Sequence, residues 1–132
     1  MKGLDTNVIV RFLVKDHGPQ SDKALRFFTN AEKKKDRLLI PHVVILETIW
    51  VLESVYNCAR AEILDALEKL TQIQVFEFEH IAVIQKFIST GRNSRIDLSD
   101  LFIGIICSHL KCEKTISFDK KAAKHSDYFQ AL

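Results

Sequence analysis

Hydrophobic residues recur along this chain with two periods. Segments with apolar positions every three or four residues predict helices, and short runs of β-branched and aromatic residues predict strands. The two kinds of segment alternate through most of the sequence. The predicted strands are 2–4, 37–40, 73–78, 114–118 and an edge strand at 128–132; the predicted helices are 7–13, one capped by Ser21, 42–56, 61–70, 80–89 closed by Gly91, 98–110 and a short one after Asp119.

Strands that alternate with helices are typical of α/β proteins, in which helices cover both faces of a parallel sheet. The chain has 132 residues, which is the usual length of one domain. The sequence contains neither an internal repeat nor a linker rich in Gly, Pro or Ser. We therefore expect a single α/β domain over residues 1–132.

Charge and composition exclude several classes of protein. The 19 basic and 17 acidic residues nearly cancel, so net charge alone does not predict nucleic-acid binding, although residues 33–37 form a basic run. Apolar runs are too short to span a membrane, and Asp5 and Arg11 interrupt any signal peptide. The three cysteines lack the spacing of a zinc site. A soluble, cytoplasmic protein in a reducing compartment is expected.

Four acidic residues stand at unusual places in the pattern. Asp5 and Asp119 each follow a predicted strand, where functional groups of parallel sheets gather. Glu47 lies in the middle of the apolar helix "VVILETIWVL", on a face shared with apolar residues. Asp100 begins an apolar helix, and Gly104, one turn later, is expected to leave the surface beside its carboxylate open.

Each acid also has a simpler explanation. An aspartate at the start of a helix usually caps it, and an internal salt bridge with Arg11 or Lys15 would explain Glu47. For any one aspartate, capping is commoner than catalysis. The candidate caps are Asp5, Asn7, Asp119 and the pair Asp97 and Asp100.

Taken together, the four acids suggest a metal centre if they converge. Two carboxylates about 4 Å apart repel each other by roughly 4 kcal/mol at an effective dielectric constant near 20. Four of them would require bound protons or a divalent cation. Oxygen-only ligands select hard ions such as Mg²⁺ or Mn²⁺, which activate water and bind phosphoryl oxygens in nucleases. Thr6, Asn7 and Ser117 are expected to orient the carboxylates as hydrogen-bond donors.

The segments that carry these acids resemble a known family. "LDTNVIVRFL", "ILETIWVL", "DLSDLFIG" and "SFD" follow one another at the separations usual in PIN-domain ribonucleases. The similarity is greatest to the VapC-type toxins of toxin–antitoxin modules, and it extends from Lys2 to about Lys124. The DTN element is the most specific part. Ser117 stands where threonine is frequent, and it keeps the hydroxyl group.

The resemblance implies a PIN-like α/β/α sandwich with a central, mostly parallel sheet of about five strands. It implies that Asp5, Glu47, Asp100 and Asp119 bind Mg²⁺ or Mn²⁺ and are the catalytic residues of RNA hydrolysis, with Asp97 as an auxiliary carboxylate. Relatives pair with a small antitoxin and commonly form homodimers, so both are expected here. The basic residues that are candidates for contacts to RNA phosphates are Arg11, Lys15, Arg92 and Arg95.

Two other functions fit parts of the pattern. A non-catalytic PIN-like scaffold would bind RNA or protein without cutting it. A metal-dependent phosphatase would use Asp5 as its nucleophile, but that chemistry usually needs a second acid where this chain has Asn7. The helical spacing of four aromatic residues predicts core packing rather than stacking on bases; these are Phe12, Phe27, Phe28 and Trp50.

Overall fold

The structure is a computed structural model that describes residues 1–15, 18–125 and 127–132. The chain divides into two compact units, Met1–Ile81 and Ala82–Leu132, each with its own sheet. The α/β class is confirmed, but the central sheet of about five strands that the resemblance implied is not seen: the described strands form one parallel sheet of three and one of two. The expectation of a single domain over 1–132 stays a prediction.

The first unit is built around three parallel strands in the order β1-β2-β3. Pairing of Lys2 with Leu38 and of Ile40 with Phe78 sets the register. Parallel pairing brings the carboxyl ends of these strands to one edge, where Asp5 follows β1. The elements are β1 (Lys2–Gly3), α1 (Thr6–Val14), α2 (Pro19–Lys33), β2 (Leu38–Ile40), α3 (His42–Ser54), α4 (Arg60–Thr71) and β3 (Phe76–Phe78).

Helix α1 packs against both α2 and α3 in the core of the first unit. Phe28 is buried, and its ring meets those of Phe12 and Phe76 edge to face, with centroids 5.1 and 5.0 Å away. Ile9 and Ile45 are also buried completely. Edge-to-face packing of these rings holds α1 and α2 in place beside the sheet.

The second unit has a pair of parallel strands, β4 and β5. The rings of Phe87 and Phe102 meet edge to face at 5.1 Å in its core. Gly104 is buried, and a Cβ atom built on it would lie 2.9 Å from Cε2 of Phe129. The expectation that Gly104 leaves a surface open is therefore wrong, because β5 occupies that space. The elements are α5 (Ile81–Arg92), α6 (Leu98–His109), β4 (Thr115–Ser117), α7 (Lys120–Ala123) and β5 (Phe129–Ala131).

Two predicted helix ends are wrong. Helix α2 begins at Pro19 with Gly18 as its N-cap, and Ser21 lies inside the helix, where its hydroxyl donates to the carbonyl of Arg11 at 2.9 Å. The fixed φ of proline suits a first helical position, so the helix begins before the serine. Gly91 is a buried residue of α5, which continues to Arg92.

The expected core role of the four aromatic residues holds only in part. Phe28 is buried and Phe12 is half-buried, but Trp50 is 60% exposed and Phe27 is 40% exposed. Helical spacing identifies a shared face but does not show whether a neighbouring element covers it. Within residues 1–15, 18–125 and 127–132, no helix is both long and apolar enough to cross a membrane.

Candidate functional site

Asp5 lies at the junction between β1 and α1. Its backbone is extended, with φ −89° and ψ 161°, and its Oδ1 atom accepts a hydrogen bond from the amide of Thr6 at 2.8 Å. Asp5 is thus the N-cap of α1, as the simpler explanation held. The side chain is nevertheless exposed, and capping engages Oδ1, so the residue can serve both as a cap and as a ligand.

Thr6 connects Asp5 to Glu47. The Thr6 amide donates to Asp5, and the Thr6 hydroxyl donates to Oε1 of Glu47 at 2.8 Å. Thr6 itself is 9% exposed, so its rotamer is held by its surroundings. The structure therefore brings the first two predicted acids to one residue, Thr6, which donates a hydrogen bond to each of them.

Glu47 differs from the sequence-based expectation in one respect. Its side chain is exposed, together with Val43 and Trp50 on the same face of α3. No core desolvates the carboxylate, so the acid does not require the proposed salt bridge. The partner that the structure gives it is Thr6, while Arg11 donates to Gln20 at 2.8 Å and to the hydroxyl of Tyr56 at 2.9 Å.

Asn7 is exposed in the first turn of α1, next to Asp5 and Thr6. It lines a groove of about 470 Å³ with Asp5 and Arg11. The expected hydrogen bond from Asn7 to a carboxylate stays a prediction. From this position in the groove, the amide group of Asn7 can also contact a bound ligand.

The second unit holds the other two predicted acids. Asp97 is the N-cap of α6 and accepts a hydrogen bond from the amide of Asp100 at 3.1 Å. Asp119 is the N-cap of α7, and its Oδ1 atom accepts from the amides of Lys121 at 2.8 Å and Ala122 at 3.3 Å. The capping explanation is therefore correct for both Asp97 and Asp119.

Ser117 supports Asp119 differently from the prediction. The Ser117 hydroxyl oxygen accepts a hydrogen bond from the backbone amide of Asp119 at 2.9 Å. It fixes the turn between β4 and α7, and does not donate to the carboxylate in this conformation. Ser117 thus positions Asp119 through the backbone.

Asp100 lies close enough to Asp97 and Asp119 for their charges to affect its carboxyl group. Partial burial raises the pKa of its carboxyl group above the usual value, and the negative charges of Asp97 and Asp119 raise it further. Ionised Asp100 is therefore less stable than an isolated aspartate. A cation beside these three acids would offset that cost.

The donor chemistry of the predicted residues fits a hard divalent ion, because each one offers carboxylate oxygens. Among residues 1–15, 18–125 and 127–132, however, no three side chains of His, Cys, Asp or Glu form a group placed to hold a metal. The structure brings together Asp5 and Glu47 in one unit, and Asp97, Asp100 and Asp119 in the other.

Sequence reasoning did not predict the position of two side chains beside Asp5: Lys23 was not singled out, and Phe27 was assigned to the core. Lys23 and Phe27 of α2 line the same groove as Asp5 and Asn7. The signal was present in the helical spacing, since Gln20, Lys23 and Phe27 are three and then four residues apart and share one face. A face with an amide, a cation and an aromatic ring is unusual for a core-facing surface.

Comparisons with known proteins support the family resemblance of the segments that carry these acids. The sequence model of the PIN domain matches residues 3–127. A protein of Aquifex aeolicus (strain VF5) named VapC ribonuclease is 24% identical over 124 residues, which cover 94% of this chain and 91% of that protein. Since the family match spans nearly the whole sequence, the chain belongs to the PIN domain family.

Proposed function

We propose that this protein is a metal-dependent ribonuclease that hydrolyses RNA phosphodiester bonds, and that it is the toxin of a toxin–antitoxin pair. The relative named VapC ribonuclease supports the reaction class. The observation that carries the proposal is the placement of Asp5 and Glu47, from α1 and α3, on the two hydrogen-bonding groups of Thr6. Two carboxylates held in this way are suited to a shared cation.

The proposed ligands are Asp5, Glu47, Asp100 and Asp119, and the proposed ion is Mg²⁺ or Mn²⁺. All four residues stand in the order of the family's acidic motifs, and all four offer oxygen donors. Burial raises the pKa of Asp100, and the negative charges of Asp97 and Asp119 raise it further; a cation beside these acids would offset that cost. When bound, such an ion lowers the pKa of water and offsets the charge on a phosphoryl group.

The chain's own residues supply orientation. Thr6 holds Glu47 through its hydroxyl and Asp5 through its amide, which fixes the direction of both carboxylates. Ser117 and the first turn of α7 hold the backbone and side chain of Asp119. In hydrolysis, a water oxygen forms a bond to phosphorus as a phosphodiester P–O bond breaks. A carboxylate accepts the proton that water loses, and the leaving oxygen takes up a proton from solvent and departs as a hydroxyl.

The acidic surface also defines the proposed partner. A small antitoxin with an arginine side chain directed at the carboxylates would form strong, charge-assisted hydrogen bonds with them. Homodimer formation and a cytoplasmic location complete the proposal, and both follow from the family resemblance.

Incubation with total RNA tests the proposed function. Wild-type protein with Mn²⁺ is expected to cut RNA, EDTA is expected to stop cleavage, and Asp100→Asn is expected to be inactive. Glu113→Gln, at an exposed position outside the proposed ligands and outside both cavities beside Phe27, is the matched control. RNA binding without cleavage would favour the non-catalytic scaffold, and hydrolysis of a small phosphoester with phosphorylated Asp5 would favour the phosphatase.

A further inference from the structure

The groove beside Asp5 has a composition that metal binding does not explain. It lies between α1 and α2, and its volume of about 470 Å³ is within the roughly 300–1,000 Å³ typical of small-ligand sites. Arg11 and Lys23 give it positive charge, and Phe27 adds an aromatic wall. Positive side chains beside an exposed aromatic ring are the usual composition of surfaces that bind single-stranded nucleic acid.

Phe27 is well placed to stack on a base. Its side chain is 40% exposed, although a phenylalanine is usually buried. The ring contacts that of buried Phe28 with centroids 6.2 Å apart, so the core of the unit supports it. The ammonium group of Lys2 lies 5.8 Å from the centroid of the Phe27 ring. A cation over one face leaves the opposite face for a base.

Phe27 is also the shared wall of two cavities. A smaller cavity of about 190 Å³ is lined by Phe27 and by Lys2, Lys34 and Arg37, with Asp36 as its acidic residue; Arg37 also pairs with Glu77. Lys34 and Arg37 belong to the basic run of residues 33–37, which the proposed chemistry does not otherwise use. Phe27 lines both cavities, so the groove that contains Asp5 and the cavity that contains the basic run share this ring.

On these grounds, and resting on the proposed ribonuclease function, we infer that the α1–α2 groove is the binding track of the RNA strand beside the cleaved bond. Phe27 stacks on one base close to that bond. Lys23 contacts a phosphate near Asp5, and Lys34 contacts one beyond Phe27. Positive charge in both cavities favours RNA as the occupant, because a polyanion needs cations at successive positions along its backbone.

The inference is tested with an RNA oligonucleotide that spans a site cut by the wild-type protein in total RNA. Loss of a stacking partner costs roughly 5- to 150-fold in binding, so Phe27→Ala is expected to raise KM by about tenfold or more with little change in kcat. Phe27→Tyr is expected to keep the wild-type KM. Leu25→Ala, which removes another exposed apolar side chain of α2, is the matched control.

An abasic nucleotide placed at successive positions locates the stacked base. In the wild-type protein, an abasic nucleotide at one position is expected to raise KM as much as Phe27→Ala does. The same abasic nucleotide should raise the KM of the Phe27→Ala variant little further.

The proposed phosphate contact of Lys34 is tested by removing its charge. Lys34→Gln is expected to weaken RNA binding more than Lys33→Gln, because Lys33 lines neither cavity.

The two proposals fail in different ways. If wild-type protein with Mn²⁺ cuts no RNA, the proposed function is wrong and the RNA track is wrong with it. If wild-type protein cuts RNA, Asp100→Asn does not, and Phe27→Ala has the KM of Leu25→Ala, then the track alone is overturned. That last result would assign the groove to another occupant, such as a protein segment.

Discussion

The hydroxyl of Thr6 donates a hydrogen bond of 2.8 Å to Oε1 of Glu47, across 41 positions of sequence. The amide of the same threonine binds Asp5, so one residue sets the direction of two acids. This arrangement explains why a hydroxyl residue directly follows Asp5 in the sequence. It also makes Thr6 a positioning residue whose replacement should affect metal affinity before it affects folding.

Thr6→Val tests this role, because valine has nearly the shape of threonine but cannot donate. Partners of metal ligands are typically worth about 10- to 100-fold in metal affinity or activity. We therefore expect Thr6→Val to raise the Mn²⁺ concentration for half-maximal RNA cleavage by about that factor, and Thr6→Ser to change it little. Equal Mn²⁺ dependence of Thr6→Val and wild-type protein would show that this hydrogen bond does not orient a ligand.

Asp5 has two roles that different substitutions can separate. Asparagine caps helices about as well as aspartate, whereas alanine in place of an N-cap costs about 1 kcal/mol. Asp5→Asn and Asp5→Ala are both expected to abolish cleavage, but only Asp5→Ala should lower the free energy of unfolding measured in EDTA. Residual cleavage by Asp5→Asn near the wild-type rate would mean that Asp5 acts as a cap alone.

The carboxyl group of Asp100 predicts a pH-dependent stability. Burial and the charges of Asp97 and Asp119 raise its pKa in the folded chain above the ordinary value of 3.8. The folded chain therefore holds this proton more tightly than the unfolded chain. The contribution of Asp100 to the free energy of unfolding falls as pH rises from 3.8 through the raised pKa, and the penalty is complete above that pKa.

Asp100→Asn removes that penalty. In EDTA at pH 7 the variant is expected to melt at a higher temperature than wild-type protein, and the difference should shrink as the pH falls below the raised pKa. Asp36→Asn, at an exposed site, serves as the control. Thermal melting across this pH range decides the matter: a lower Tm for Asp100→Asn at pH 7 would contradict the assigned pKa direction.

Gly104 predicts a packing effect on stability. Alanine usually stabilises a helix relative to glycine by nearly 1 kcal/mol, but a Cβ atom here would lie 2.9 Å from Phe129 and 3.0 Å from Cβ of Tyr128. Overpacking typically costs about 1–3 kcal/mol. Gly104→Ala should therefore lower the urea midpoint, while Ser108→Ala, exposed on the same helix, should not. A raised midpoint for Gly104→Ala would show that β5 moves away at little cost.

Local sequence patterns predicted most of the helices and strands, but not which strands pair with one another. The apolar periodicity of α3 and α6 is a strong signal, and these helices lie close to their expected places. Pairing of strands depends on contacts between distant segments. The alternation of strands and helices along the sequence therefore could not predict the division into sheets of three and two strands. The same limit explains Gly104, whose neighbour β5 lies 25 residues further along the chain.

Sequence position pointed to some residues of the candidate site but not to others. Position after a strand identified Asp5 and Asp119, and the hydroxyl beside Asp5 indicated the role of Thr6. The exposure of Glu47 was not predictable, since an apolar helix gives no sign of which face lacks a covering element. Lys23 was not singled out, and Phe27 was assigned to the core because aromatic spacing in α2 resembles that of a core helix.

The most direct test of a shared metal centre is Mn²⁺ binding to Glu47→Gln and Asp100→Asn, one variant from each unit, measured by calorimetry beside wild-type protein. If both acids hold the same ion, each substitution alone should weaken the same Mn²⁺ site by about tenfold or more. Wild-type affinity in Glu47→Gln together with lost binding in Asp100→Asn, or the reverse, would contradict a centre that both acids share.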